Sequence, residues 1–204
     1  GHGSFECIYK GTSLGRFTLS VPGEHNISNA LSVMAIARIM KLDTETIQKG
    51  LLSFHGTNRR FQYKGEVGGV TVIDDYAHHP TEIQATLTAA KNYPHKKLWC
   101  VFQPHTYTRT HALLTEFADA LTDADAVVLA DIYAAREVNT LGISSEDLKK
   151  EIEKRGTEVY YFPSFGEIED FLLENCAKDD LLITMGAGDV VNIGETLLGL
   201  RSEE

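Results

Sequence analysis

Residues 70–82 read VTVIDDYAHHPTE, a short apolar run that passes into polar residues and then into a proline suited to a helix start. Four further apolar runs follow, at residues 98–102, 126–130, 159–162 and 181–185. Amphipathic stretches alternate with them, at residues 81–92, 108–122, 145–155, 165–175 and 190–200. Apolar strands separated by helices are typical of a parallel sheet covered on both faces. The sequence therefore predicts a doubly wound α/β fold with a mostly parallel sheet for residues 59–204.

A different pattern precedes this region. The predicted elements are two strands (residues 5–10 and 16–21) joined as a hairpin across residues 11–15, and two helices (residues 26–39 and 43–54). Asp43 or Thr44 suits the start of the second helix. We therefore expect a smaller unit over residues 5–58, and we interpret residues 1–4, Gly-His-Gly-Ser, as an expression scar.

Composition narrows the class of partner. The 204 residues include 19 Lys and Arg against 29 Asp and Glu, a formal net charge of −10, which disfavours nucleic acid and anionic membranes. No apolar run approaches the roughly 18 residues that span a bilayer, and no signal peptide is predicted. Three widely spaced cysteines in apolar surroundings indicate a reducing cytoplasm. Any anionic ligand therefore needs a local cluster of cations.

Polar side chains cluster where the predicted strands end. The segments that follow four strands are residues 74–82, 103–110, 131–137 and 186–189. They carry carboxylates, histidines, two arginines and a glycine-rich turn. Because the carboxyl ends of parallel strands meet at one edge, where ligands gather, we predict a binding site there.

The first of these segments allows several kinds of chemistry. Asp74 and Asp75 suit a metal pair, a ribose-binding carboxylate or the start of the helix near Pro80. The adjacent His78 and His79 invite a zinc site. Neighbouring side chains in an extended loop point apart, however, so no metal site is predicted.

Other residues suit anion or base recognition. Arg109 suits a carboxylate or phosphate that its guanidinium grips bidentately, or a surface ion pair with Glu116 or Asp119. Asn26 and Asn29 lie three apart, so their amides face one way, as the recognition of an adenine edge requires. Asn26 alone also suits a helix cap.

Two further features bear on phosphate binding. Gly186-Ala187-Gly188 suits a phosphate loop or a tight turn between a strand and a helix. Arg59 and Arg60 place two cations side by side in an otherwise acidic chain. They are the kind of local cluster that an anion requires here.

Four segments together resemble the Mur ligase family: GEHNISNA (residues 23–30), RRF (59–61), DDYAHHPTE (74–82) and QPHTYTRT (103–110). The resemblance covers essentially everything after residue 4. It implies that residues 5–58 are the end of a central ATP-binding domain. It also implies that residues 59–204 are a Rossmann-like C-terminal domain that takes the incoming amino acid.

The resemblance also implies residue roles. It assigns ATP binding to His25, Asn26 and Asn29 (adenine), to Asp75 (ribose), to Arg60 (phosphates) and to Tyr76. It assigns catalysis to Arg60, His78 and His79, which with Tyr76 would shape the closed site, and substrate binding to His105 and Arg109. Thr106 stands where many relatives carry a second arginine.

The activity implied by the resemblance is that of a cytoplasmic ligase dependent on ATP and Mg²⁺. It joins L-alanine to UDP-N-acetylmuramic acid through an acyl phosphate in peptidoglycan synthesis. The family's GxxxxGK[ST] phosphate loop does not occur in this sequence, so we expect the chain alone to bind no cofactor tightly and to be inactive.

Three alternatives stay open. One is a related ligase that attaches a recycled peptide, and another is a non-catalytic nucleotide-binding module. The third is a metal-dependent hydrolase that uses Asp74, Asp75, His78 and His105.

Overall fold

The computed structural model describes residues 3–21 and 23–200. The chain divides into two compact units, residues 1–58 and residues 59–204.

The first unit is an antiparallel hairpin followed by two helices. Its elements are β1 (Ser4–Tyr9), β2 (Thr12–Thr18), α1 (Glu24–Ile39) and α2 (Thr44–Ser53). The turn is only Lys10 and Gly11, both at positive φ (48° and 80°), as a two-residue hairpin turn requires. The predicted turn over residues 11–15 was too long, because Thr12 and Gly15 already pair with β1.

The ends of these elements follow local rules. Asp43 caps α2, as the pattern predicts, by accepting a hydrogen bond from the N–H of Thr46 at 2.8 Å. β1 begins inside the segment interpreted as a scar, since Ser4 pairs with Thr18. Gly1 and His2 of that segment lie outside the described residues.

The second unit is a six-stranded sheet in the order β3-β4-β8-β5-β6-β7, parallel except for β3. Its strands are β3 (Gln62–Val67), β4 (Val70–Asp75), β5 (Leu98–Phe102), β6 (Ala126–Leu129), β7 (Glu158–Tyr161) and β8 (Leu181–Met185). Its helices are α3 (Pro80–Ala90), α4 (Tyr107–Ala112), α5 (Leu114–Leu121), α6 (Ser145–Glu153), α7 (Phe165–Asn175) and α8 (Val191–Leu197). The predicted α/β fold with a mostly parallel sheet is confirmed.

Helices cover both faces of this sheet. α3, α5 and α6 bury residues such as Leu87, Phe117 and Leu148 against one face. α7 and α8 bury Ile168 and Ile193 against the other. All residues of β5, β6 and β8 are buried, which explains why these strands read as unbroken apolar runs.

Two details differ from the predicted elements. The edge strand β3 was missed, because it is only half buried and its register shifts between Tyr63 and Gly65. The helix predicted over residues 108–122 is two helices, α4 and α5. They are separated at Leu113, whose backbone (φ −119°, ψ 26°) is not helical.

The strand order positions the loops. β8 is last in sequence but lies between β4 and β5, so the loops after these three strands are neighbours at the carboxyl edge. In such sheets this edge is where ligands bind.

Candidate functional site

The loops that follow β4, β5, β6 and β8 meet at one edge of the second unit. The rings of His78 and His105 have centroids 6.1 Å apart, and His105 stacks on Tyr133 at 5.4 Å. The side-chain amide of Gln103 donates to Oδ1 of Asp189 at 2.9 Å. The structure therefore brings together the four segments that the sequence predicts at this edge.

Arg59 fastens two of these loops to each other. Its Nε donates to Oδ2 of Asp74 at 2.9 Å, and its terminal nitrogens donate to the carbonyls of Gly186 and Gly188 at 2.8 and 2.9 Å. Its own carbonyl accepts from the N–H of Tyr76 at 2.7 Å. The glycine-rich turn therefore turns carbonyls toward a cation, which supports the tight-turn alternative and not the phosphate loop.

The two aspartates are bound separately inside the chain. Asp74 is fully buried, and its Oδ1 accepts from the hydroxyl of Thr184 at 2.8 Å. The carboxylate oxygens of Asp75 accept from the backbone N–H groups of Phe61 and Ala77, each at 2.7 Å. This arrangement does not support a shared metal ion.

Asp75 therefore holds the loop that carries Tyr76. Burial raises the pKa of its carboxyl, against the opposing effect of hydrogen bonds from the N–H groups of Ala77 and Phe61. Both oxygens already accept backbone hydrogen bonds, so the ribose-binding role stays a prediction.

The residue that caps α3 is His79, whose Nδ1 accepts from the N–H of Thr81 at 3.3 Å. The alternative in which Asp74 or Asp75 caps this helix was wrong. Since the His79 ring already has this structural task, its catalytic role stays a prediction.

Arg60 is half exposed and faces a carboxylate. Its Nη1 lies 3.7 Å from Oε1 of Glu82, and its guanidinium lies 5.7 Å from the centroid of the Tyr76 ring. Oε2 of Glu82 accepts from the N–H of His78 at 3.1 Å. Burial raises the pKa of Glu82, but the hydrogen bond from His78 and the charges of His78 and Arg60 outweigh it and lower that pKa overall. Glu82 is therefore an anionic partner for Arg60.

Two buried nitrogen atoms at this edge have no hydrogen-bond partner within the described part of the chain: Nδ1 of His105 and Nη1 of Arg109. Buried polar atoms are nearly always bonded, so such a pair marks a place where a ligand or water completes the bonding. The surface-pair alternative for Arg109 is weakened, because Asp119 binds Arg155.

The charge state of His105 is set by its surroundings. Burial lowers the pKa of its imidazole, and the nearby Arg109 and His78 lower it further, while Glu137 acts in the opposite direction. The net pKa lies below its ordinary value of 6.5, which favours the neutral form of the ring at pH 7. A neutral ring nitrogen can accept a hydrogen bond from an amine.

The candidate adenine residues belong to the first unit. α1 begins at Glu24 with Gly23 as its cap, so the alternative in which Asn26 caps the helix was wrong. The side-chain amide of Asn29 donates to Oδ1 of Asn26 at 3.3 Å, and the two amides therefore lie together, as their spacing predicts. His25 and Asn29 are exposed.

Sequence reasoning gave no role to three side chains that build this edge: Glu82, Gln103 and Tyr133. Each lies in one of the four segments that follow strands, so position was the available signal. The partners of Gln103 and Tyr133 are distant in the chain, so no local pattern could have named them.

Across residues 3–21 and 23–200, no group of three or more His, Cys, Asp or Glu side chains is placed to hold a metal ion. In the same residues, no helix is both long and apolar enough to cross a membrane.

A family model described as "Mur ligase, glutamate ligase domain" matches residues 59–188. Among curated proteins, the chain is 62% identical over 195 residues to the UDP-N-acetylmuramate–L-alanine ligase of Agathobacter rectalis, covering 96% of this chain and 42% of that protein. It is 51% identical over 198 residues to the enzyme of the same name from Caldanaerobacter subterraneus, covering 97% and 43%. The chain therefore spans about two fifths of the length of these relatives.

Solved structures with a similar fold also include ligases of this kind. The UDP-N-acetylmuramate–alanine ligase of Thermotoga maritima matches with a TM-score of 0.77 at 28% identity, over 91% of this chain and 40% of that one. A murein peptide ligase from Psychrobacter arcticus matches with a TM-score of 0.68 at 24% identity, over 96% and 41%. The second likeness shows a shared fold alone.

Proposed function

The chain belongs to the Mur ligase family, and we propose that it is part of a cytoplasmic enzyme that joins L-alanine to UDP-N-acetylmuramic acid at the expense of ATP. The two relatives described above, which are 51% and 62% identical to it, are named UDP-N-acetylmuramate–L-alanine ligase. The structural observation that carries the proposal is the pair of buried, unpartnered nitrogens on His105 and Arg109.

An amino acid suits these two groups. A guanidinium binds a carboxylate through short, charge-assisted hydrogen bonds. The neutral His105 ring can accept a hydrogen bond from the amine of the same molecule. Together they would hold both polar ends of alanine and orient its nitrogen toward the second substrate.

Arg60 supplies the cation on the phosphate side. When bound, ATP supplies the phosphoryl group that activates the carboxylate of the sugar substrate as an acyl phosphate. Arg60 is half exposed and held only at 3.7 Å by Glu82, so it can exchange that carboxylate for a phosphate. Tyr76 and His78 lie between Arg60 and His105 as a row of ring contacts. No residue of this chain is assigned to Mg²⁺.

We further propose that residues 5–58 are the end of an ATP-binding domain, with His25, Asn26 and Asn29 at the adenine. α1 buries Ala30, Met34 and Ala37, while its other sides expose Leu31, Val33, Ile36 and Ile39. Residues 30–39 of α1 are apolar apart from Ser32 and Arg38, and a helix segment that is apolar on most sides is typical of the interior of a larger domain. The exposed face of α1 is therefore a surface that the rest of such a domain would cover.

Replacing Ile36 and Ile39 together by glutamine tests this domain assignment. These side chains are 59% and 80% exposed in this chain. In the 204-residue chain we expect the free energy of unfolding to change by less than about 0.5 kcal/mol. In the complete protein, where the same side chains would be buried, we expect a loss of about 2–5 kcal/mol. Chemical denaturation of both proteins measures the difference.

The matched control is Leu173→Gln, an exposed leucine on α7 of the second unit. It should be nearly neutral in both proteins. An equally small effect of Ile36→Gln/Ile39→Gln in the complete protein would contradict the domain assignment.

The function itself is tested by ADP release. We expect the complete protein to release ADP from ATP only when UDP-N-acetylmuramic acid and L-alanine are both present. The 204-residue chain alone should release none, since it lacks a phosphate-binding loop of the GxxxxGK[ST] type. Release with a peptide in place of L-alanine would identify a recycling ligase instead. Alanine-dependent release from the isolated chain would overturn its assignment as an inactive part.

A further inference from the structure

Tyr133 joins the loop after β6 to the loop after β5. Its backbone N–H donates to the carbonyl of Pro104 at 2.8 Å, and its carbonyl accepts from the N–H of Thr106 at 2.9 Å. The two bonds form an isolated parallel bridge between His105 and Tyr133. Tyr133 is therefore fixed in place by the same short segment that carries His105.

The ring of Tyr133 contacts two parts of the site. It stacks on the His105 imidazole with centroids 5.4 Å apart and an interplanar angle of 26°. It also lies against Gly188, where an added Cβ would be 2.9 Å from Cγ of Tyr133. Only a residue without a side chain at position 188 leaves the ring this close to the backbone. The Tyr133 ring therefore lies between the loop after β8, which restrains it, and the His105 imidazole, on which it stacks.

We propose that Tyr133 is a positioning residue for the amino-acid substrate, whose ring fixes the orientation of the His105 imidazole beside Arg109. This rests on the proposed function, because it assumes that His105 meets the amine of that substrate. A histidine in a loop turns freely about its side-chain bonds unless a neighbour restrains it, and stacking on an aromatic ring supplies that restraint. The contact of Tyr133 with His105 does so while leaving Nδ1 of His105 unbonded.

The backbone of Tyr133 has a related effect on Arg109. Thr106, whose N–H donates to the carbonyl of Tyr133, has a left-handed backbone (φ 69°) and is the N-cap of α4. Arg109 lies in that helix. The ring of Tyr133 therefore contacts His105, and its backbone carbonyl binds the N-cap of the helix that carries Arg109. A substitution of the side chain tests only the contribution of the ring.

The test in the complete enzyme compares Tyr133→Leu with Tyr133→Phe. Tyr133→Leu removes the stacking and should raise the KM for L-alanine about tenfold, the equivalent of one aromatic pair. The KM for ATP should stay unchanged. Tyr133→Phe keeps the ring and should behave as the unaltered enzyme. If Tyr133→Phe raises the KM for L-alanine as much as Tyr133→Leu does, the hydroxyl and not the ring is responsible, and the proposal is overturned.

Gly188→Ala is a second way to disturb the stacking of Tyr133 on His105, because it displaces the Tyr133 ring. The new Cβ would be 2.2 Å from Oε1 of Gln103 and 2.9 Å from the Tyr133 ring, so the ring must shift. The matched control is Gly166→Ala, where no atom lies within 4 Å of the added Cβ. We expect Gly188→Ala to raise the KM for L-alanine and Gly166→Ala to leave it unchanged. Equal KM values in the two variants would count against the proposal.

A spectroscopic measurement on the 204-residue chain separates this proposal from the proposed function. In NMR spectra, NOEs between the ring protons of His105 and those of His78 report the orientation of the His105 imidazole, since the two ring centroids are 6.1 Å apart. These NOEs should change in Tyr133→Leu and stay the same in Tyr133→Phe. Unchanged NOEs in Tyr133→Leu overturn the positioning role, whatever the complete enzyme does. Changed NOEs with no alanine-dependent activity in the unaltered enzyme overturn the proposed function instead.

Discussion

Arg109→Ala in the complete enzyme is expected to raise the KM for L-alanine about 100-fold, the equivalent of about 2.7 kcal/mol. The reason is that Nη1 of Arg109 is buried and has no partner in the described residues, so the substrate carboxylate would be its partner. The KM for ATP should stay within about twofold, because the proposed function assigns the ATP side to other residues, such as Arg60. Steady-state kinetics with each substrate varied in turn measures both values.

Two variants make this expectation specific. His111→Ala, an exposed residue two positions along α4, should leave both KM values unchanged and serves as the matched control. Arg109→Lys keeps the charge but loses the forked geometry, and should recover only part of the affinity for alanine. Equal increases in the two KM values in Arg109→Ala would contradict the assignment of this residue to the amino acid.

The parallel strands of the sheet could be predicted from local sequence, because a strand buried on both faces consists of consecutive apolar residues. β5 and β8 are buried on both faces, and their residues are apolar without alternation. β3 was missed for the opposite reason, since Gln62–Val67 has one strand neighbour and a half-exposed face. Local pattern therefore predicts the interior of this fold better than its edge.

The site was predicted at the level of segments but not of partners. That polar residues meet at the carboxyl edge follows from parallel strands, and His78, His105 and Tyr133 do meet there. The structure gave separate partners to Asp74 and Asp75, although adjacent carboxylates invited a joint role. Which residue completes which hydrogen bond depends on contacts between distant parts of the chain, and no local pattern carries that information.

Arg59 shows this limit most clearly. In sequence Arg59 and Arg60 are two adjacent cations, equally suited to an anion. In the fold, Arg59 reaches carbonyls 127 and 129 positions away, at Gly186 and Gly188, while Arg60 stays half exposed beside Glu82. The left-handed backbone of Arg59 (φ 58°) accompanies this inward turn. Substitutions of Arg59 and Arg60 are therefore expected to have very different effects on stability.

Arg59→Ala is expected to destabilise the second unit by about 3–5 kcal/mol, because it leaves the fully buried carboxylate of Asp74 without its cation. For a unit of this size the melting temperature should fall by about 10 °C. Arg60→Ala removes an exposed pair at 3.7 Å from Glu82 and should cost less than about 1 kcal/mol. Thermal and chemical denaturation of the 204-residue chain measures both.

The cause is tested by the partner of Arg59. Once the cation is gone, Asp74→Asn removes the buried charge that makes its loss costly, so Arg59→Ala/Asp74→Asn should be more stable than Arg59→Ala alone. In the complete enzyme, Arg60→Ala is expected to be folded but slow, because only the exposed cation is lost. A stable Arg59→Ala protein would show that the loops after β4 and β8 hold together without this residue, and the structural role of Arg59 would then be wrong.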